Sequence, residues 1–420
     1  MEVTRIYMNK IFMRLKNKTQ LFSAQADDHY HTRLIHSLEV ASISLIIADK
    51  LKNKYKLDLI ALHKGALLHD IGHTPFGHAG ERALHNILSG KDDCYGYVDV
   101  IKKYDIKQGF KHNINSGLLY KESTKYFDIE PKVMDAIVKH TKICYTPKNN
   151  KNNNKMDNLD YGLEYVTSGI PELKENYRNH KPKYLEGYIV SMADEIAQIC
   201  SDYLDLINFG DFKKEVKATK LYKSIPSINK LNYRKQAEEF CKKLINLFSG
   251  DILRTENGYI LSENSKFILT INEFNNVKNS CINKNTRIKL FDASKETIIR
   301  TLYAYYFTYP LEMEKGVFDS ICVALGKIKG FSREQYDEIR NLSIKRNKKE
   351  ETIKFINNCR DNICNTNLSK NDIKRNKKVL KTFLRYIAVY ISKMTDNFAS
   401  EKYKKIVCAK FIWKNSWLFK

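Results

Sequence analysis

The sequence predicts a mainly α protein. Strand signals are sparse, and apolar residues recur at three- and four-residue spacing through much of the chain. Hydrophobic residues make up 43% of 420, enough for a sizeable core. That length suits two or three domains, or one large helical body. The most distinctive stretches end near residue 210, so a division into 1–210 and 211–420 is expected. No run of eighteen apolar residues occurs, and Met1–Lys18 lacks the apolar centre of a signal peptide. No membrane association is expected, and the location expected is cytoplasmic.

Taken in order, residues 1–25 read as helix into loop, with Arg14, Lys18, Thr19 and Gln20 as their notable polar residues. Asp27–His31 is a polar turn, and Arg33 opens a clear helix in which Leu34, Leu38, Ala41 and Leu45 repeat on one face. Arg33 and His36 are one turn apart and share a face. Ala61–Leu68 is a helix that delivers His69-Asp70. Adjacent residues cannot share one helix face, so this pair belongs where the helix ends; Gly72 and Pro75 in the following turn agree. Helix resumes over 79–88, residues 89–109 read as irregular, and His112-Asn113 lie near a helix start. Val133–Lys139 is a short amphipathic helix ending in His140, and the Asn/Lys-rich residues 147–160 read as a loop.

Leu185–Asn208 is a long helix with Asp194 inside an apolar run, where a carboxylate is costly unless paired or coordinated. Asp194, Gln198 and Asp202 follow one face at four-residue steps. Later, 258–271 reads as a small β-hairpin, and helices are expected over 295–308, 318–328, 333–343 and 375–410. Residues 344–350 read as a basic loop.

The formal net charge of +24 suggests a polyanionic partner: nucleotide phosphates or single-stranded nucleic acid. The joint richness in Lys, Asn, Ile and Tyr also fits an AT-rich genome and a solvated lysine surface. Nine scattered cysteines without a CxxC pattern read as reduced thiols, not as a disulfide framework or zinc site.

Four residues stand out as metal ligands: His36, His69, Asp70 and Asp194, from three expected helices. Two imidazoles and two carboxylates leave positions for water and substrate on a six-coordinate ion. One Mn²⁺, Mg²⁺, Fe²⁺ or Co²⁺ per site then fits better than closed structural zinc. A buried, hydrogen-bonded histidine is the competing reading of His36 by itself.

The order His36, His69-Asp70, Asp194 resembles the signature of HD-domain phosphohydrolases. The flanking residues narrow the resemblance to the deoxyguanosinetriphosphate triphosphohydrolase branch. They are Arg14-Leu-Lys-Asn-Lys-Thr-Gln-Leu-Phe22, Arg33–Val40, His69-Asp-Ile-Gly-His-Thr-Pro-Phe-Gly-His-Ala-Gly-Glu81, Gly109-Phe-Lys-His-Asn113 and Met192–Ala197, with Tyr386–Tyr403 late in the chain. The likeness covers residues 5–205 well and is thin over 210–380.

That resemblance implies an HD-domain catalytic core over 1–210, with 211–420 as mostly helical structure completing the body and making oligomer contacts. It implies cleavage of a deoxynucleoside triphosphate, dGTP included, to deoxynucleoside and tripolyphosphate. His78 with Glu81 is then the acid–base pair, His73 and His112 are further phosphate-side histidines, and Arg33 binds the α-phosphate. Gln20, Asp202 and Asn113 fall to substrate binding, the first two at the deoxyribose 3′-hydroxyl. A dNTP activator and a homo-oligomer (dimer, tetramer or hexamer) are further expectations of the family.

Two departures qualify the likeness. Gln198 stands where the family often carries a sugar-stacking Tyr, leaving Tyr188 or Tyr203 as substitutes. Glu195 stands where animal relatives have Lys, so phosphate charge would be met by other lysines, the 147–160 stretch among them. The rival activities are an HD-type phosphodiesterase or 5′-nucleotidase, and a nucleotide or single-strand binder without catalysis.

Overall fold

A computed structural model describes residues 2–19, 31–92, 97–123, 129–141, 166, 170, 173, 182–208, 213–255, 258–262, 264–328, 330–344, 349–365 and 367–415. The expected α class holds: helices dominate, and among the described residues the β structure is one two-stranded antiparallel ribbon. The chain divides into two compact units, residues 1–77 with 112–293 and residues 78–111 with 294–420. This is not a division at residue 210. Helix Leu185–Asn208 packs against helix Tyr233–Asp251, so backbone beyond 210 belongs to the same body as the backbone before it.

The first unit is built around Leu185–Asn208, whose Ile189, Met192, Ala193, Ile196, Ile199 and Tyr203 are all buried. Helix Arg33–Leu51 lies against it and against Leu59–Leu68. Helix Pro131–Lys139 touches Leu59–Leu68, Leu185–Asn208 and His112–Glu122. Local chemistry fixes where these helices begin. The Thr32 hydroxyl accepts from the Ile35 N–H at 3.3 Å, the Asp58 carboxylate accepts from the Ala61 N–H at 3.0 Å, and Pro131 opens its helix. Near the N-terminus, Thr19 pairs with Thr32 in an isolated antiparallel bridge, and the Arg33 N–H donates to the Lys18 carbonyl at 3.0 Å.

Gly72 explains why the turn after His69-Asp70 is tight. Its N–H donates to Ser116 Oγ at 2.8 Å, and Asn115 Nδ2 donates to its carbonyl at 2.7 Å. A Cβ built there would lie 2.1 Å from the Ser116 nitrogen, so only glycine lets this backbone touch helix His112–Glu122.

In the second unit, helix Lys370–Ser392 is buried on nearly every side from Val379 onward. It packs on Lys315–Leu325 and Lys349–Asp361. Residues 78–111 join this unit through Gln108, which donates to the Lys381 carbonyl at 2.9 Å and accepts from Arg385 Nε at 3.2 Å.

Three expectations need correction. The hairpin is Ile252–Thr255 with Gly258–Leu261, register Ile252↔Leu261, and Lys266–Lys284 is helix. The apolar run Phe267–Ile271 has strand-like composition, but Phe267, Ile271 and Phe274 bury one helical face, and the Ser265 hydroxyl caps the Ile268 N–H at 3.1 Å. The expected 375–410 helix is two, Lys370–Ser392 and Asp396–Asn415, and the Thr395 hydroxyl accepts from the Phe398 N–H at 3.3 Å where the second starts. Tyr97–Lys103 is helical inside the stretch read as irregular. Residues 147–160 lie outside the described residues. No described helix is long and apolar enough to cross a membrane.

Candidate metal centre

In the first unit, His36, His69, Asp70 and Asp194 converge, all at most 5% exposed. His36 sits in the first turns of Arg33–Leu51, His69 caps the C-terminus of Leu59–Leu68, Asp70 follows it, and Asp194 projects from mid-helix. His36 Nε2 lies 2.8 Å from Asp194 Oδ1, and His69 Nε2 lies 3.6 Å from Asp70 Oδ1 and 3.7 Å from Asp194 Oδ1. His69 Nδ1 donates to the Ala66 carbonyl at 2.6 Å, which leaves the lone pair on Nε2. That buried Nε2 has no hydrogen-bond partner. A buried polar atom without a partner costs about 1–3 kcal/mol, and a divalent cation among these donors would remove that cost. The donor set therefore fits a metal ion.

Charge is compensated from several directions. Arg33 Nη1 donates to Asp70 Oδ2 at 2.6 Å, with both side chains buried. Burial by itself would push the Asp70 carboxyl up, but His73, His69, Arg33 and His112 together hold it well below the usual carboxylate range. Burial likewise opposes ionisation of Asp194, and the His36 hydrogen bond with the nearby His69 outweighs it and holds Asp194 down. For His36, burial pulls downward, while the Asp194 hydrogen bond and its charge win and raise the imidazole. A proton and a metal ion compete for the same His36 lone pair, so metal uptake should release protons.

Three more histidines surround Asp70. From its Oδ1, His73 Nε2 lies 3.5 Å away, and His112 Nε2 and His140 Nε2 each 3.8 Å. His73 and His112 stack with ring centroids 3.8 Å apart, and His112 Nε2 is 3.1 Å from His140 Nε2. His140 is the residue that sequence reasoning passed over as a helix end. It repeats the arrangement of His69: it caps a buried helix, and its Nδ1 donates to the carbonyl three residues back, that of Ile137, at 2.7 Å. Its place directly after a short amphipathic helix does not distinguish it from an ordinary polar helix end. Burial, with His69 and His112 close by, lowers its pKa to about 3.

The remaining expected site residues fall in different places. Asn113 donates from its amide to the Val138 carbonyl and so ties two helices together. Asp202 pairs with Lys278 Nζ at 2.7 Å. Gln198 Nε2 donates to Asp194 Oδ1 at 3.0 Å and so steadies a candidate ligand. Tyr203 is buried with its hydroxyl donating to Gln236 and its ring edge-on to Phe240, which commits it to the packing of the helices. Gln20 lies outside the described residues.

His78 and Glu81 belong to the second unit. They stand one turn apart on Gly77–Leu88, with His78 Nδ1 3.3 Å from Glu81 Oε2. The His78 side chain is 52% exposed and that of Glu81 only 6%. Lys111 Nζ lies 3.4 Å from the other Glu81 oxygen. A half-exposed imidazole beside a buried carboxylate is oriented by it while staying open to water. Phe76, just before this helix, and Gly77, its first residue, both have positive φ, 61° and 56°.

Residues 33–199 match the HD domain family. The chain is similar to curated proteins that carry the name deoxyguanosinetriphosphate triphosphohydrolase-like. The Rhizobium etli protein is 34% identical over 218 residues, 49% of this chain and 45% of that one. The Caldanaerobacter subterraneus protein is 33% identical over 216 residues, 50% of this chain and 46% of its own. The chain thus spans about half the length of these relatives. The Rickettsia typhi protein is 28% identical over 421 aligned positions, covering 97% of this chain and 91% of its own.

Proposed function

Because the chain is an HD-domain protein with relatives named deoxyguanosinetriphosphate triphosphohydrolase-like, we propose that it hydrolyses deoxynucleoside triphosphates, dGTP among them, at the α-phosphate. The products are the deoxynucleoside and inorganic tripolyphosphate. The observation that carries this reading is the buried cluster of His36, His69, Asp70 and Asp194, whose unpartnered His69 Nε2 suits a divalent cation. Bound there, Mn²⁺, Mg²⁺, Fe²⁺ or Co²⁺ would supply Lewis-acid stabilisation of phosphoryl charge and a more acidic water.

The protein's own residues have distinct tasks in this reading. Arg33 neutralises Asp70 and adds positive charge for the α-phosphate. His78 moves the proton, and Glu81 fixes the orientation of its ring through Nδ1. His73 and His112 serve phosphate oxygens, their rings stacked on one another. Asp202, with Lys278 beside it, and Gln20 recognise the sugar. Lys278 takes over part of the cationic role that Glu195 cannot fill; Asp202 raises its pKa against the opposing effect of burial.

The test is product analysis. The protein is incubated with each of the four dNTPs, singly and mixed, with Mn²⁺ or Mg²⁺, and the products are resolved. Deoxynucleoside with tripolyphosphate supports the proposal. No tripolyphosphate from any mixture, or orthophosphate released only from nucleoside monophosphates, overturns it.

A further inference from the structure

The helix that carries Asp194 has a second face that the metal centre does not use. In Leu185–Asn208, Asp194, Gln198 and Asp202 follow one face, and at 3.6 residues per turn Cys200 falls on the opposite one. Helix Tyr233–Asp251 packs against Leu185–Asn208. Cys200 Sγ lies 3.5 Å from the Ala237 carbonyl oxygen, within S–H···O reach. Ala237 stands one turn before Cys241, and in an α-helix its carbonyl also takes the Cys241 N–H. The Cys200 sulfur therefore rests against the turn that ends on Cys241, and the two thiols are hydrogen-bonded to each other. Both cysteines are only partly buried.

Other described cysteines are placed differently. Cys281, Cys322 and Cys359 are buried, and the Cys322 sulfur is 3.5 Å from the Thr352 hydroxyl. Burial pushes the Cys359 thiol up to about 12, so it stays protonated and inert. In the Cys200–Cys241 pair the shared hydrogen bond divides the two thiols. It holds Cys200 well above the usual thiol range, with burial adding to it. The same bond lowers Cys241, against burial and the Glu39 carboxylate and with help from Lys242. Cys241 thus ionises first, and Cys200 keeps its proton.

We infer that Cys200 and Cys241 form a reversible oxidation site, at which a peroxide closes a disulfide between the two helices. The Cys241 thiolate attacks one oxygen of hydrogen peroxide and breaks the O–O bond. The products are a Cys241 sulfenic acid and hydroxide, which takes up a proton as water. The Cys200 sulfur then attacks the Cys241 sulfur. The S–S bond forms, the S–O bond breaks, and the departing hydroxide leaves with the Cys200 proton as a second water. Two thiols are oxidised and one peroxide is reduced. The new bond ties Leu185–Asn208 to Tyr233–Asp251 from the side away from Asp194, and it restricts the unfolded chain. The inference depends neither on the metal nor on the substrate.

The experiment uses the full chain, reduced, freed of reductant and treated with a small excess of hydrogen peroxide. Remaining thiols are blocked with iodoacetamide, and tryptic peptides are analysed by mass spectrometry. Trypsin places Cys200 in residues 184–213 and Cys241 in residues 236–242, each with one cysteine. In the wild type these two peptides should be joined, with two of the nine thiols lost, and dithiothreitol should reverse both changes. Cys200→Ser should stop at a Cys241 sulfenic acid that dimedone traps, and Cys241→Ser should leave Cys200 unlabelled; circular dichroism checks that each variant is folded. The linked wild type should melt at a higher temperature than the reduced protein, and treated Cys200→Ser should show no such gain. No 200–241 link in the wild type, a link to another cysteine in its place, unchanged thiol loss in either folded variant, or a linked protein that melts lower overturns the inference.

Discussion

Two groups of titratable residues in this protein are solved in opposite ways. The Asp70 cluster is almost sealed: Arg33, His36, His69, Asp70, His73, His112, His140 and Asp194 are all buried. The His78–Glu81 pair buries its carboxylate and leaves the imidazole half exposed. A sealed polar cluster is strongly coupled to the fold, because each charge depends on its neighbours for compensation. A half-exposed imidazole can gain and lose protons at little structural cost. The difference separates residues that should matter for both folding and chemistry from residues that should matter for chemistry alone.

The largest blow to the sealed cluster is Asp70→Asn. It keeps the shape but strands the Arg33 guanidinium, whose side chain is 1% exposed, without its carboxylate. Removing one partner of such a pair costs about 3–5 kcal/mol. Metal binding and turnover should be lost together. Denaturant unfolding, with metal analysis of the protein, measures both, and a variant of wild-type stability would break the comparison.

Next is Gly72→Ala. The added Cβ meets the Ser116 nitrogen and the His112 carbonyl at 2.1 and 2.5 Å, both main-chain atoms. Overpacking of this kind costs about 1–3 kcal/mol or more. Because Gly72 lies in the turn that carries His69 and Asp70, metal affinity should fall as well. A thermal melt with and without Mn²⁺ would show a smaller metal-induced increase than in the wild type.

Acid should also act on the sealed cluster. In the unfolded chain His140 takes a proton near its ordinary 6.5, whereas the folded chain refuses it until about 3. Between those values the unfolded state binds more protons, so stability falls as pH falls, by at most about 1.4 kcal/mol per pH unit from this group. His36, whose pKa is raised, contributes with the opposite sign: its stabilisation is full below 6.5 and fades as pH rises through its folded value. In chelator, urea unfolding of His140→Asn between pH 4 and 6.5 should show a shallower acid slope than the wild type. An unchanged slope would remove His140 from the account.

The comparison also explains what could be read from residue types. Asp194 stands out in the sequence because a carboxylate is costly inside an apolar run, and His36 and His69-Asp70 stand out with it only through their order along the chain; in the structure the four side chains lie close together. Leu185–Asn208 was legible to the residue because its apolar period is unbroken. His140 was not, since a histidine after Val133–Lys139 looks like any polar helix end; only the fold brings it to Asp70. The break at Lys393–Thr395 carries neither Gly nor Pro, so a single capping threonine was its only mark. Lys266–Lys284 was hidden by β-branched residues whose burial follows a helical face. The two-unit division was invisible because residues 78–111 join partners more than 180 positions away, such as Asp92 with Arg300.

The smallest effect on the fold, and the sharpest contrast, is expected for His78→Asn. Its side chain is 52% exposed and lies 3.3 Å from Glu81, which also has Lys111 Nζ at 3.4 Å. Glu81 therefore does not become an isolated buried charge, and stability should change by no more than about 0.5 kcal/mol. Metal content should be that of the wild type. Yet if His78 is the proton carrier, turnover should fall by about 10²–10⁴-fold, with a smaller change in KM, because Asn cannot shuttle a proton at neutral pH. A variant that melts like wild type, holds the same metal and has lost kcat would separate the chemistry of the exposed pair from the architecture of the sealed one. A variant with wild-type kcat would place the acid–base group elsewhere.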